Sequence, residues 1–494
     1  MMGKYKFDSQ PRLRLLGEED IKLIHEKALY ILENTGIKFE SKEALDILKG
    51  KGAVVDHDKR IAKISSQMVD DAVKLAPSGF QLFNRDGELA ADMSGNNIHF
   101  DPGSSLIKFM ESDGKTVRST RSEDLVRISR VNDALQNVHL QSTSVVCYDV
   151  PELIGDSYRL YLCLVNSPKA VITGAFTVPG VRHMRDMLAA VVGGEDELAA
   201  KPRAVFDICP SPPLKWTSIS AQNIIDCARF GVPLEVISLP MPGAATPITL
   251  AGSIIVHTAE TLSGLVLAQA VNPGTIVVYG GAPVQFDMRY GTTPFSAIEA
   301  TMISAAYSQM GKYFGMPTHT YAALSDSKVI DIQAGIETGI SGVIAQLAGI
   351  NMISGVGALD FVNTFSLEKL VIDHEVCGTV LRLQKGIDCS ADSLAIDVIN
   401  DLGPGGVYLE SEHTLQRMRT ESFMPSTVLD RHDRGGWEAE GKKDAFARAR
   451  ERVKEIEETH NPESLGGERK AGLDRVVRDI MKELNVENLP YGPA

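Results

Sequence analysis

The chain has 494 residues, 44% of them hydrophobic, 23% charged and 6% aromatic, the composition of a globular protein long enough for one large domain with smaller appended segments. Its formal net charge of −14 argues against nucleic acid held through phosphate contacts and against an anionic membrane surface as the main partner. The six cysteines, Cys147, Cys163, Cys209, Cys227, Cys377 and Cys389, are scattered without a Cys-x-x-Cys pair, which points to reduced thiols in a cytoplasmic protein rather than to a disulfide framework.

The first residues, 1–14, are polar and basic and lack the apolar stretch of a secretory signal. Residues 18–35 carry Ile21, Ile24, Ala28 and Leu32 at helical spacing before Gly36, and 42–48 and 66–75 read as further short helices. Residues 80–89 alternate around Arg85-Asp86-Gly87, a hairpin signal. Residues 1–96 are thus expected to form an N-terminal helical extension with a small antiparallel sheet.

Eight short apolar runs follow, at 97–100, 138–146, 170–173, 204–209, 234–239, 275–279, 317–321 and 350–356, recurring roughly every 30–42 residues, the size of a βα unit. Thr120-Arg-Ser-Glu123 has the pattern of a capping box opening a helix with Leu125, Ile128, Val131 and Leu135 on one face. Thr246-Pro247 marks another helix start, and Gly193, Gly231, Gly315 and Gly349 mark helix ends. The apolar stretch 247–271 carries His257, Glu260 and several threonines, which suits a helix of this repeat better than a membrane span. The pattern predicts an α/β fold, a (β/α)8 TIM barrel over residues 97–400, with the chemistry on the loops after the strands. Residues 401–494 change character. A Gly-rich stretch at 403–406 leads into a turn-rich segment, and a charged helix at 442–460 has Ala445, Ala449, Val453 and Ile456 on its apolar side, forming a C-terminal helical tail.

Several longer segments carry a likeness. The sixth unit reads Gly280-Gly-Ala-Pro-Val-Gln-Phe-Asp-Met-Arg-Tyr-Gly291, the seventh Ser325-Asp-Ser-Lys-Val-Ile-Asp-Ile-Gln-Ala-Gly-Ile-Glu337, and the tail Gly405-Gly-Val-Tyr-Leu-Glu-Ser-Glu-His-Thr414 with Arg431 and Trp437. In these the chain resembles the trimethylamine methyltransferase superfamily over nearly its whole length. The resemblance implies a (β/α)8 barrel that moves a methyl group from an amine to the cobalt of a separate small corrinoid protein. Archaeal trimethylamine enzymes of that family carry pyrrolysine near the end of the seventh strand. Here the corresponding region holds an ordinary Lys328 beside Asp326, and family members without pyrrolysine resemble demethylases of quaternary amines such as glycine betaine, proline betaine or carnitine-like compounds.

The residues suit that chemistry. A quaternary ammonium loses a methyl and leaves as a neutral tertiary amine, so no general acid is required. What remains is in-line positioning, and a fixed cation is held by aromatic faces. Phe100, Trp216 and Phe361 stand near the ends of the first, fourth and eighth runs and are the expected cage, with Tyr148, Tyr290 and Tyr321 as weaker candidates. Arg289, His319, Asn351 and His413 are candidates for the rest of the substrate. Asp287 is a candidate complement to the cation, and Lys328 a candidate catalytic amine. Gly281, Gly291, Gly355 and Gly357 are expected to let a ligand or corrin ring approach. No nucleotide-binding or zinc motif is present, so cobalamin is expected on the partner and no metal in this chain. Homo-oligomerisation is open. Two other readings remain: a lyase or hydrolase using Asp287, Glu299 and Lys328, and a non-catalytic quaternary-amine binding protein.

Overall fold

The computed structural model describes residues 11–493; the reading of 1–14 as leader-free falls mostly outside them. Each apolar run contains a strand: β1 (His99–Asp101), β2 (Gln141–Ser142), β3 (Val171–Thr173), β4 (Ala204–Ile208), β5 (Leu234–Ser238), β6 (Val277–Gly281), β7 (His319–Tyr321) and β8 (Met352–Ser354). All their pairings are parallel, in a five-stranded sheet ordered β6-β5-β4-β3-β2 and a three-stranded sheet ordered β7-β8-β1. Backbone hydrogen bonds cross both seams: Tyr279 N donates to the Pro317 carbonyl at 2.8 Å, and Leu140 N to the Phe100 carbonyl at 3.1 Å. A long helix follows each strand, among them Ser122–Asp133, Gly155–Asn166, Leu250–Val271, Ile332–Leu347 and Leu367–Gln384. The architecture is α/β, with the largest apolar core between strands and helices.

Helix Leu250–Val271 is long and apolar enough to cross a membrane by composition, yet most of it is buried inside the protein. It packs on strands β5 and β6 and on helices Glu18–Tyr30, Ser66–Leu75 and Ser218–Phe230, and a helix covered all round is apolar all round. The helix after β1 starts one residue later than Thr120 suggests. Arg121 is the N-cap, with its N–H donating to Asp124 Oδ2 at 2.8 Å, while the Thr120 hydroxyl is taken by the carbonyls of Ile107 and Val146. At its far ends the chain follows the expected pattern: the hairpin Gln81–Phe83 with Leu89–Asp92 forms, and helix Ala445–Thr459 buries Ala449, Val453 and Ile456.

One feature of the strand ends has no simple pattern in the sequence. A four-stranded sheet joins Ala358–Leu359 and Thr364–Phe365, beyond β8, to Lys108–Met110 and Val117–Ser119, beyond β1. Between its first two strands the chain turns through three successive left-handed residues, Asp360, Phe361 and Val362, with φ of 53°, 58° and 61°. Left-handed backbone costs about 1–2 kcal/mol per non-glycine residue, so a run of three, one of them β-branched, is a strained loop held in place by the sheet on either side.

Candidate active site at the carboxyl ends of the strands

The strained loop hangs over a cavity of about 460 Å3 at the carboxyl ends of the strands, a size that takes a small organic molecule. Aromatic rings line its mouth: Phe176 after β3, Phe295 after β6, Tyr321 at the end of β7 and Phe361 in the left-handed turn. Ser104, Ser105, Asp207, Cys209, Ser220 and Asn223 supply the polar wall. Two further recesses, of about 390 and 1010 Å3, are lined by residues that precede the strands, such as Asn96, Gly349, Asn97 and His139.

Acids build the cavity floor. Asp207 in β4 and Glu235 in β5 are register neighbours, and Asp101 ends β1. Asp101 and Glu235 are fully buried. Burial pushes the Asp101 carboxyl up to about 7, although it accepts from Ser354 Oγ at 2.6 Å and Gly103 N at 2.8 Å. Burial also raises Asp207 and Glu235, and the Asp207 charge drives Glu235 higher still. Glu235 therefore keeps its proton and Asp207 carries the charge. Asp207 Oδ2 accepts from the Ser104 hydroxyl at 3.0 Å, and the protonated Glu235 carboxyl is its other hydrogen-bond partner. Among the described residues no cation pairs with Asp207 at ion-pair distance and no group of three potential ligands is arranged to hold a metal.

Of the expected site residues, the structure brings Phe361 and the weaker candidate Tyr321 to the cavity wall. Lys328 joins them from above: its ammonium lies 3.6 Å from the Phe361 ring centroid and donates to the Asp326 carbonyl at 2.7 Å. The Asp326 carboxylate in turn accepts from Phe295 N at 3.0 Å and Ser296 N at 2.7 Å, fixing that ring. His319 lies beneath the cavity, fully buried, with Nε2 2.9 Å from Ser354 Oγ and Nδ1 3.5 Å from Glu235 Oε1. Burial pushes it down to about 3, so it is neutral. Because the Ser354 hydroxyl is spent on Asp101, His319 Nε2–H is the donor to Ser354.

The remaining expectations need correction. Phe100 is buried in the strand–helix core, since Asp101 takes the inner side of β1 and the period of two turns its neighbour outward. Trp216 is also core: it pairs with Phe39 in a sheet of the N-terminal extension, stacks on that ring and donates Nε1–H to Ser263 Oγ at 2.9 Å. The cage of Phe100, Trp216 and Phe361 is thus not assembled. Asn351 stands at the start of β8, its amide used by Lys312, Thr318 and the carbonyls of Gly95 and Asn97. Asp287 and Arg289 pair with each other at 2.6 Å on an exposed loop beside Tyr290. Hydrogen bonding to Arg289 holds the Asp287 carboxyl down at about 2, which removes it as a base. His413 sits on helix Glu412–Glu421 of the tail, and neither it, Tyr148 nor Glu299 lines the cavity. Gly281, Gly355 and Gly357 are small because a Cβ would meet Tyr307, Leu324 and Phe365 within 3.0 Å, which is packing and not room for a ligand; Gly291, with φ of 65°, makes a turn with open space around it. The sequence reading missed Asp101, Asp207 and Glu235. Their signal was an acid next to apolar residues in the strand runs, as in Phe206-Asp207-Ile208 and Leu234-Glu235-Val236.

Comparison with known proteins places this site in context. The family model described as trimethylamine methyltransferase (MTTB) matches residues 3–484. The chain belongs to the trimethylamine methyltransferase family. Trimethylamine methyltransferase MttB of Desulfitobacterium hafniense (strain DSM 10664 / DCB-2) is 32% identical over 95% of this chain and 94% of its own. Trimethylamine methyltransferase MttB of Methanosarcina thermophila is 34% identical over 91% and 93%. The glycine betaine methyltransferase of Desulfitobacterium hafniense (strain Y51) is 32% identical over 97% and 99%. The protein is a methyltransferase, and the cavity under Phe361 is its candidate active site.

Proposed function

We propose that this methyltransferase moves a methyl group from a quaternary amine, of the glycine betaine, proline betaine or carnitine type, to the cobalt(I) of a corrinoid carried on a separate small protein. The observation that carries the reading is the charge pattern of the cavity. Aromatic rings stand at the mouth, and the charged Asp207 forms the floor with no cation paired to it at ion-pair distance among the described residues. That pair of features fits a permanently charged ammonium without N–H donors.

The chain's part is binding and aim. Asp207 attracts the cation, Phe361, Tyr321 and Phe295 contact its methyl groups, and the apolar wall keeps water out. The leaving group is a neutral tertiary amine, so no proton has to be delivered to it. The corrinoid, when its protein docks over the strand ends, supplies the nucleophile. The exposed Ile248, Met288 and Tyr290 near that end give an apolar rim for such docking. We read the eight parallel strands as a closed (β/α)8 barrel flanked by residues 1–96 and 401–494, with the cavity at its top, where barrels of this type place their chemistry.

The test is anaerobic incubation of the purified protein with reduced cobalamin and each betaine. Methyl transfer is followed by the visible spectrum of the cobalamin and by chromatography of the demethylated amine. Transfer from at least one quaternary amine is the expected result; none from any of them overturns the proposal.

A further inference from the structure

Arg159, on helix Gly155–Asn166, is 1% exposed. Its Nη1 donates to Ser105 Oγ at 3.1 Å and to the Thr143 carbonyl at 3.2 Å, while Nη2 is buried without a partner. No carboxylate pairs with it at ion-pair distance among the described residues. The nearest acid on its own helix, Asp156, is occupied by Phe176 N at 3.0 Å, Thr177 N at 3.2 Å and the Thr177 hydroxyl at 2.9 Å. The face of the guanidinium is covered by the Phe176 ring, 4.9 Å away. Burying a guanidinium without a counter-ion is strongly unfavourable, and the group is shaped to hold a carboxylate through two parallel N–H bonds.

Its place in the fold says what that carboxylate belongs to. Ser105 and Phe176, which both touch Arg159, both line the cavity. The neighbouring Ser104 donates to Asp207. Two adjacent serines, turned by the left-handed backbone of Ser105 at φ 69°, therefore hold a carboxylate on one side and a guanidinium on the other. A cavity with a carboxylate on its wall and a guanidinium just behind it, close enough to attract each other but not in ion-pair contact, complements a zwitterion.

We infer that Arg159 is the anion-recognising residue of this site, uncovered when Phe176 turns aside, and that the substrate is a quaternary amine bearing a carboxylate. The inference rests on the reading of the cavity as an ammonium site. It assigns no catalytic step to Arg159, which selects and orients.

Calorimetry and methyl transfer to reduced cobalamin, with glycine betaine, its methyl ester and choline, test it. The wild-type protein should prefer glycine betaine over the ester and choline by about 10–100-fold, the worth of a charged hydrogen-bonded pair. Arg159→Met should lower glycine betaine affinity by about the same factor and leave choline within about 3-fold, with Arg159→Lys between them. The comparison of ester with betaine uses the wild-type chain, so it stands even where a variant fails to fold. Equal binding of the three compounds, or equal loss of all three in a folded Arg159→Met, overturns the assignment of Arg159 while the ammonium reading survives. No binding by any of them overturns both.

Discussion

The Lys328 ammonium lies 3.6 Å from the centroid of the Phe361 ring, so the ring that best suits a substrate cation already carries one from the chain itself. Two roles for Lys328 can be told apart. As a catalytic amine it is required, and Lys328→Met abolishes turnover. As a resident cation it competes with substrate and must move away, so its loss frees the ring. The second fits the geometry, because apart from the Phe361 ring the Lys328 ammonium is held by the Asp326 carbonyl, with no carboxylate at ion-pair distance among the described residues. Expected for Lys328→Met is a KM lowered by about 2–10-fold with kcat little changed. Phe361→Ala should raise KM by about 2–30-fold, equivalent to the 0.5–2 kcal/mol of one cation–π contact. Steady-state kinetics on both variants decide it, and a dead Lys328→Met would reverse the assignment.

Asp207→Asn keeps the shape of the floor and removes its charge. Separating a buried ammonium from its counter-ion costs about 2–5 kcal/mol, or more than about 30-fold in binding. The fold should respond in the opposite direction, because desolvation of the Asp207 charge opposes folding. A higher Tm with poorer KM is the expected pairing, read from thermal denaturation and kinetics on the same preparation. Unchanged KM would remove Asp207 from substrate binding.

Much of this arrangement was legible in the chain before the structure. The eight strands coincide with apolar runs because a strand buried on both faces has no other pattern to show. Helix ends at Gly193 and Gly231 are left-handed, as a glycine stop requires. Within the site, legibility failed in two ways. Rare aromatics were weighed by position after a strand, yet Trp216 is committed to a pairing with Phe39, far away in sequence, which no local pattern announces. The acids Asp207 and Glu235 lie within the strands and not on the loops that follow them, and there only the alternation of faces separates a lining side chain from a core one. The sheet that clamps Phe361 joins residues near 108 to residues near 365, and its strained turn follows from that contact alone.

Trp216 provides a control for these corrections. As a core residue it should govern stability and leave substrate affinity alone. Trp216→Phe retains a ring packed against Phe39 and loses the hydrogen bond to Ser263, whose hydroxyl still donates to the Glu260 carbonyl, so a loss of about 1–3 kcal/mol is expected from the lost buried hydrogen bond and a small cavity. Denaturant unfolding should show the loss, and KM for the best substrate should stay within about 2-fold. A selective rise in KM would restore Trp216 to the site.

The pH dependence of stability follows from Asp101. Its carboxyl lies at about 7 in the folded chain against an ordinary 3.8. Between those values the folded state holds a proton that the unfolded state has released, so the contribution of Asp101 to stability falls as pH rises from about 4 to about 7 and is level beyond. Asp101→Asn keeps one oxygen to accept from Gly103 N and turns its amide NH2 to Ser354 Oγ, which then accepts, and it has nothing to titrate. The variant should therefore gain on the wild type steadily across that window, with Tm curves that diverge from pH 4 to pH 7 and run parallel above it. His319, held neutral by burial at about 3 against an ordinary 6.5, acts in the opposite sense over most of the same window, because between those values the unfolded chain takes up a proton that the folded chain refuses; the difference between wild type and variant cancels it. A wild-type minus variant difference that is flat from pH 4 to pH 7 would show that Asp101 is ionised throughout, and would return negative charge to the floor beneath Tyr321.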